Sequence, residues 1–263
     1  MSGINRWSGG STSATKVDVP ARDYNAEFKD TSRKYAYDFD TVLRRYIMRA
    51  LDPFLPPGRA LEMGCYTGEM TELIAARYDD LTVIEASDEL VAAASARLGR
   101  RARFVHGRFE TVAIAERFDA VFLVHTLEHL DDPIAVLRRV NTWLVPGGRL
   151  FVVVPNADAA SRQIAVQMGV IPFNDAVTPD ERVHGHRKTY RLDTLESDLV
   201  AAGLQVVQSG GVFFKPFANF QFDQLMAGAI ISEDYLEGCY RLGMHYPELC
   251  ASIWAMCGSG DNA

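Results

Sequence analysis

Leu61-Glu62-Met63-Gly64-Cys65-Tyr66-Thr67-Gly68-Glu69 is the stretch on which the fold turns. A strand-like run from Arg59 enters a loop with glycines at 64 and 68. Thr67–Tyr78 then carries Met70, Leu73, Ile74 and Arg77 at helical spacing. Strand, glycine loop and helix in that order open a nucleoside-binding α/β unit, whose ligand sits beyond the carboxyl end of the strand. Gly64 and Gly68 allow a sharp turn and a close approach to the ligand where a Cβ would intrude. Seventeen residues after Gly68, the strand Leu81–Glu85 ends in a carboxylate able to accept both hydroxyls of a ribose.

The alternation continues outward. Ser87 caps a helix through Leu98, the strands Ala102–His106 and Phe118–Val124 follow, and Asp132 before Pro133 opens a helix that Pro146-Gly147-Gly148 ends. Ala120–Val124 and Leu150–Val154 are continuously apolar, as strands of a parallel sheet covered on both faces must be. The fold class is therefore α/β, a doubly wound and mostly parallel sheet. Upstream, Phe39, Val42, Leu43, Tyr46, Ile47, Ala50 and Leu51 mark a helix that stops before Pro53. Downstream, Asp193 with Glu196 reads as a capping box for a helix closed by Gly203, and Leu204–Gln208 and Gly211–Phe214 read as two strands.

These elements divide the chain into a disordered arm over 1–19, an N-terminal helical cap over 20–58, a nucleoside-binding domain over 59–218 and a C-terminal helical extension over 219–263. An aperiodic insertion at 157–187, carrying Pro172, Pro179 and Gly185, lies over the sheet's carboxyl edge.

Composition narrows the function. The 263 residues are 48% hydrophobic and 23% charged, as in an ordinary globular protein, and the net charge of −7 gives no global attraction for polyphosphate. Arg97, Arg100, Arg101 and Arg103 read as a solvated helix end, so no nucleic-acid partner is expected. Four cysteines without a CxxC pair, and no leading apolar segment, point to reduced thiols and a cytoplasmic protein. No apolar run reaches the length of a membrane span.

A glycine loop and a ribose acid serve dinucleotides and S-adenosylmethionine (SAM) alike, but the loop differs between them. A dinucleotide fingerprint is G-x-G-x-x-G, with a pyrophosphate on the helix N-terminus. Here the run is Glu-x-Gly-x-x-x-Gly, with Tyr66 where a close-approach glycine would stand. The chain resembles the class I SAM-dependent methyltransferases, and most closely the ubiquinone-type small-molecule group. The family's first motif maps to Glu62, Gly64, Tyr66 and Gly68, and its ribose acid to Glu85. Its fourth-strand segment maps to Phe118–Val121 through His125–Leu130, and its Pro-Gly-Gly turn to Pro146–Gly148. The resemblance covers about Arg59 to Phe214 and implies a seven-stranded Rossmann-like sheet with SAM as cofactor.

It also implies a cofactor site. Glu62 would meet an ammonium, and Gly64, Cys65, Tyr66 and Gly68 would form the loop. Glu85 and Ala86 would lie at the ribose, Arg108 and Phe109 at adenine, and Arg33 would pair the methionine carboxylate. Two departures stand out: Tyr66 replaces the middle glycine, and Gly107-Arg108 stands where the family often has Gly-Asp. Arg108 cannot accept adenine's amino hydrogens, so Phe109 either stacks on the ring or is plain core.

Methyl transfer to a hydroxyl requires alignment and removal of a proton, for which histidine is the natural base. His129 is the first candidate, His125 lies nearer the cofactor, and His186 is a second base; each also reads as a satisfied, half-buried histidine. His125-Thr126-Leu127-Glu128-His129 matches the zinc motif H-x-x-E-H, but Asp131-Asp132-Pro133 starts a new helix just beyond, so no metal is expected. Phe173, Phe213, Phe214, Phe217, Phe220 and Phe222 either roof an acceptor pocket or form core or a homodimer contact. The expected function is O- or N-methylation of a sugar or secondary metabolite. Methylation of protein or RNA, and a nicotinamide dehydrogenase or noncatalytic nucleoside-binding module, remain as alternatives.

Overall fold

A computed structural model of the chain describes residues 22–29 and 36–259. The expected disordered arm over 1–19 and the candidate Arg33 lie outside them. After α1 (Tyr24–Lys29) and α2 (Asp38–Leu51), the chain runs β1 (Arg59–Met63), α3 (Glu69–Ala75), β2 (Asp80–Glu85), α4 (Asp88–Leu98) and β3 (Arg103–His106). It continues through β4 (Phe118–Val124), α5 (Pro133–Trp143), β5 (Leu144–Pro155), α6 (Ala160–Gln167) and α7 (Pro179–Val183). The last elements are α8 (Leu192–Ala201), β6 (Leu204–Phe214), α9 (Asn219–Ala227), α10 (Glu233–Gly243) and β7 (Cys250–Ser259).

One seven-stranded sheet has the order β3-β2-β1-β4-β5-β7-β6. All pairs are parallel except the two that β7 makes, with β5 and with β6. From β1 the chain builds outward through β2 and β3 on one side and through β4 and β5 on the other. The crevice between β1 and β4 is thus the switch point at which such sheets bind ligands.

Local chemistry fixes several boundaries as expected. The Asp132 carboxylate accepts from the Ala135 amide at 2.9 Å to start α5, and the Ser87 hydroxyl accepts from Leu90 at 3.1 Å to start α4. Helix α2 is a full layer rather than a cap. Its Phe39, Leu43, Ile47 and Leu51 join Phe122 and Phe151 of the sheet and Leu236 and Tyr240 of α10 in one apolar core. The opposite face is covered by α5 and α8 through Val136, Leu137, Val140, Leu195 and Leu199.

Three expectations need correction. The segment 219–263 is helical only in its first half; Cys250–Ser259 is the strand that joins β5 to β6. Its residues are buried on both faces, so the period-two alternation that betrays a strand is missing, and a short apolar run reads equally well as helix. The two strands expected between Leu204 and Phe214 are one, with an irregularity between Val206 and Gln208. Gly211 does not break it: a Cβ there would lie 2.3 Å from the Pro247 carbonyl, so glycine permits a close crossing. Finally, α8 starts after Arg191, whose amide donates to the Thr194 hydroxyl at 2.9 Å, while Glu196 accepts from Ser209 at 2.7 Å instead of capping.

Candidate active site

The carboxyl ends of β1, β2 and β4 open on a cavity of about 120 Å³ walled by Gly64, Tyr66, Glu85, Ala86, Arg108, Phe109, Thr126 and His129. Gly64 has φ 80°, and a Cβ there would meet the Thr126 hydroxyl at 2.8 Å, so only glycine fits. Tyr66 adopts φ 48°, a left-handed conformation that a glycine would take without strain. Gly68 is also left-handed, at φ 88°, but its missing Cβ faces Ala94 and Leu98 of α4. The missing Cβ therefore makes room for α4, and Gly68 lines none of the described cavities.

Glu85 is held rigidly. One carboxylate oxygen accepts from the amides of Ala86 (2.7 Å) and Ser87 (3.0 Å), the other from Cys65 (3.1 Å). The Cys65 thiol adds a longer contact of 3.8 Å to the same oxygen as its amide. Phe109 reconciles its two readings: it packs in the α5-face core and walls the cavity. Arg108 pairs with Glu110 at 3.6 Å and lies over the Tyr24 ring, and Glu110 itself reaches the cavity as an acceptor that Arg108 cannot be.

Glu62 walls none of the described cavities. Its carboxylate is fully buried with both oxygens lacking a hydrogen-bond partner, and burial pushes its pKa up to about 8. The nearby Glu85 adds to that rise, while the Thr71 hydroxyl and the Arg44 guanidinium oppose it. Beside it, Cys65 and His125 wall a small third cavity with Arg44, Gly64 and Tyr66. Arg44 pairs with Glu69 across α2 and α3 and presents its guanidinium to this cavity.

A second cavity of about 520 Å³ opens between α2, the loop after β4, the insertion and β7. His125, His129 and His186 all line it. His125 has φ 51°, donates its amide to Val153 at 2.8 Å and bonds the Ser252 hydroxyl through Nε2 at 2.9 Å. Burial, aided by Arg44, lowers its pKa to about 3. It walls the third cavity too, beside Gly64 and Tyr66, but not the first. His129 and Tyr66 are the residues that wall both cavities. The His129 ring packs edge-to-face on His186 at 4.5 Å, and burial, then His186, holds its pKa well below the usual histidine value. Arg22 donates to the His129 carbonyl at 2.6 Å and fixes this turn to the N-terminal segment. His186 is likewise lowered to about 4 by burial, with Glu181 opposing.

The zinc-motif spacing does not yield a zinc-protease helix: His125 is left-handed and Leu127–His129 is a 3-10 turn. The fold nevertheless groups donors that the sequence kept apart. One ligand atom each of Glu128, His129 and His186 lie within 4.8 Å of one another, and both Glu128 oxygens are buried without a hydrogen-bond partner, Oε1 standing 3.9 Å from His129 Nε2. Of the aromatic group, Phe213 and Phe222 are core, Phe173 is exposed, and Phe220 walls the second cavity.

A methyltransferase-domain family model matches residues 35–209. The chain is a class I SAM-dependent methyltransferase. SAM is its cofactor, and the dehydrogenase alternative falls away. The methyltransferase is 29% identical over 195 residues to the ubiquinone biosynthesis O-methyltransferase of Xanthomonas axonopodis pv. citri, covering 72% of this chain and 80% of that protein. The counterpart from Xanthomonas campestris pv. campestris is 31% identical over 170 residues, 63% and 70% of the two chains. A SAM-dependent methyltransferase from Thermotoga maritima shares the fold at a TM-score of 0.59 and 16% identity, covering 89% and 98%. The N-methyltransferase NodS of Bradyrhizobium japonicum does so at 0.52 and 17%, covering 90% and 92%. No helix among the described residues is long and apolar enough to cross a membrane.

The residues present fit SAM: the buried, unpartnered Glu62 carboxylate suits an ammonium, and the glycine-only contact at Gly64 keeps the cradle open. Arg22, Tyr24, Arg44 and Glu110 join the site without sequence warning. They come from helices or loop positions whose local pattern reads as ordinary polar surface, and only tertiary packing turns them inward.

Proposed function

We propose that this methyltransferase acts on an oxygen or nitrogen of a polar small molecule, a sugar or secondary metabolite, seated in the larger cavity. The first cavity would take the adenosine, with Glu85 at a ribose hydroxyl, Phe109 and Glu110 at adenine, and Glu62 and Arg44 at the ammonium and carboxylate. SAM supplies an electrophilic methyl on a sulfonium. The single observation carrying the reading is that the two cavities meet at His129 and Tyr66. A nucleophile and a methyl donor must face each other across such a junction. His129, kept neutral by burial, is then the group that accepts the acceptor's proton, with His186 steadying its ring.

The charged lining of the larger cavity, including Asp40, Arg44, Glu181 and Lys215, disfavours a long apolar tail on the acceptor. His129→Ala lowers turnover by ~10²-fold while S-adenosylhomocysteine (SAH) affinity stays near wild type. Unchanged turnover would remove the assignment. One observation favours a second reading, in which a divalent cation held by Glu128, His129 and His186 binds the acceptor hydroxyl and lowers its pKa. Exhaustive chelation separates the two: activity persists if His129 is the base and vanishes, to return with added metal, if a cation is required.

A further inference from the structure

We propose that Lys215 binds an acidic group, a carboxylate carried by the acceptor beside the hydroxyl or amine that is methylated; this rests on the larger cavity being the acceptor site. Lys215 follows β6, and its backbone is pinned by the Ser161 amide donating to its carbonyl at 2.8 Å. The side chain walls the larger cavity and neither of the other two cofactor-side cavities.

Three other charges on that wall are already satisfied. Arg44 pairs with Glu69. Asp40 accepts from the Tyr37 amide at 2.8 Å and from Asn219 at 2.9 Å. Glu181 accepts from Arg162 at 2.6 Å and from the Thr178 amide at 2.7 Å. The Lys215 ammonium, among the described residues, makes no hydrogen bond or ion pair; it lies over the Phe39 ring at 5.9 Å. An enclosed ammonium without a partner is costly, and an anion delivered by the ligand offsets that cost. Asp40 and Glu181 attract the ammonium from a distance and Arg162 repels it, while burial lowers its pKa to about 8. It is therefore still mostly charged at pH 7. Tyr37, Tyr66 and Phe220 on the same wall suit a flat ring between the carboxylate and the reacting atom.

The test is calorimetric titration of SAH-saturated enzyme with benzoate, phenylacetate and cinnamate, each against its own primary amide. The expected result is that at least one acid binds ~10-fold or more tighter than its amide, about 1.4 kcal/mol. Lys215→Met and Lys215→Gln should abolish the preference, and Lys215→Arg should keep it. SAH affinity and the melting transition should match wild type in all three. No acid preference in the wild type overturns the inference, as does a preference that survives in a folded Met or Gln variant. So does a loss of SAH affinity in a folded variant, which would make Lys215 a cofactor residue. If neither variant folds, the wild-type panel decides alone. Failure of wild-type enzyme to bind SAH would instead overturn the underlying reading of the site.

Discussion

Glu62 is the residue whose chemistry should change most when the cofactor arrives. Buried and unpartnered, its carboxyl is mostly protonated at pH 7, because burial raises its pKa to about 8. An ammonium placed beside it favours the carboxylate, so cofactor binding must expel a proton. SAH titrated at pH 7 in buffers of different ionisation enthalpy should show release of most of one proton, and affinity should rise with pH up to about 8. Glu62→Gln should remove both effects, since a carboxamide does not titrate; proton uptake, or release unchanged in the variant, would contradict the assignment. The places of Glu62, Gly64 and Glu85 in the fold were legible because a short motif fixes the end of β1 and its loop, and the next strand ends in the acid. The packing of α4 on Gly68 was not legible, because a glycine that admits a ligand and one that admits a neighbouring helix look alike in sequence. Arg44 was invisible for a different reason: its partner Glu69 lies on another helix.

At the scale of elements, β7 carries the most weight for its length. It supplies every antiparallel pairing in the sheet, and Ser252 at its start bonds His125 in the larger cavity. Truncation after Tyr246 should leave β5 and β6 as unpaired apolar edges and give insoluble protein, measurable as loss of soluble yield and of the cooperative melting transition. A soluble, cooperatively folding truncation that still binds SAH would show the strand to be dispensable. Most elements before it were readable because parallel strands alternate with capped amphipathic helices, as Asp132 and Ser87 illustrate. β7 was not, since a strand buried on both faces has lost the periodicity that distinguishes it from a helix.

Over the whole molecule, the half of the site around the first cavity is built by consecutive elements, whereas the half around the larger cavity is gathered from α2, the loop after β4, the insertion and β7. That difference explains why the methyl donor could be read from the sequence and the shape of the larger cavity could not. The junction at His129 and Tyr66 is where the two halves have to cooperate. A crystal structure with SAH tests this most directly. It should show adenosine between Glu85 and Phe109, with the sulfur directed past Tyr66 toward His129 and the larger cavity. SAH lying with its sulfur turned away from that junction, or outside the first cavity altogether, would contradict the account.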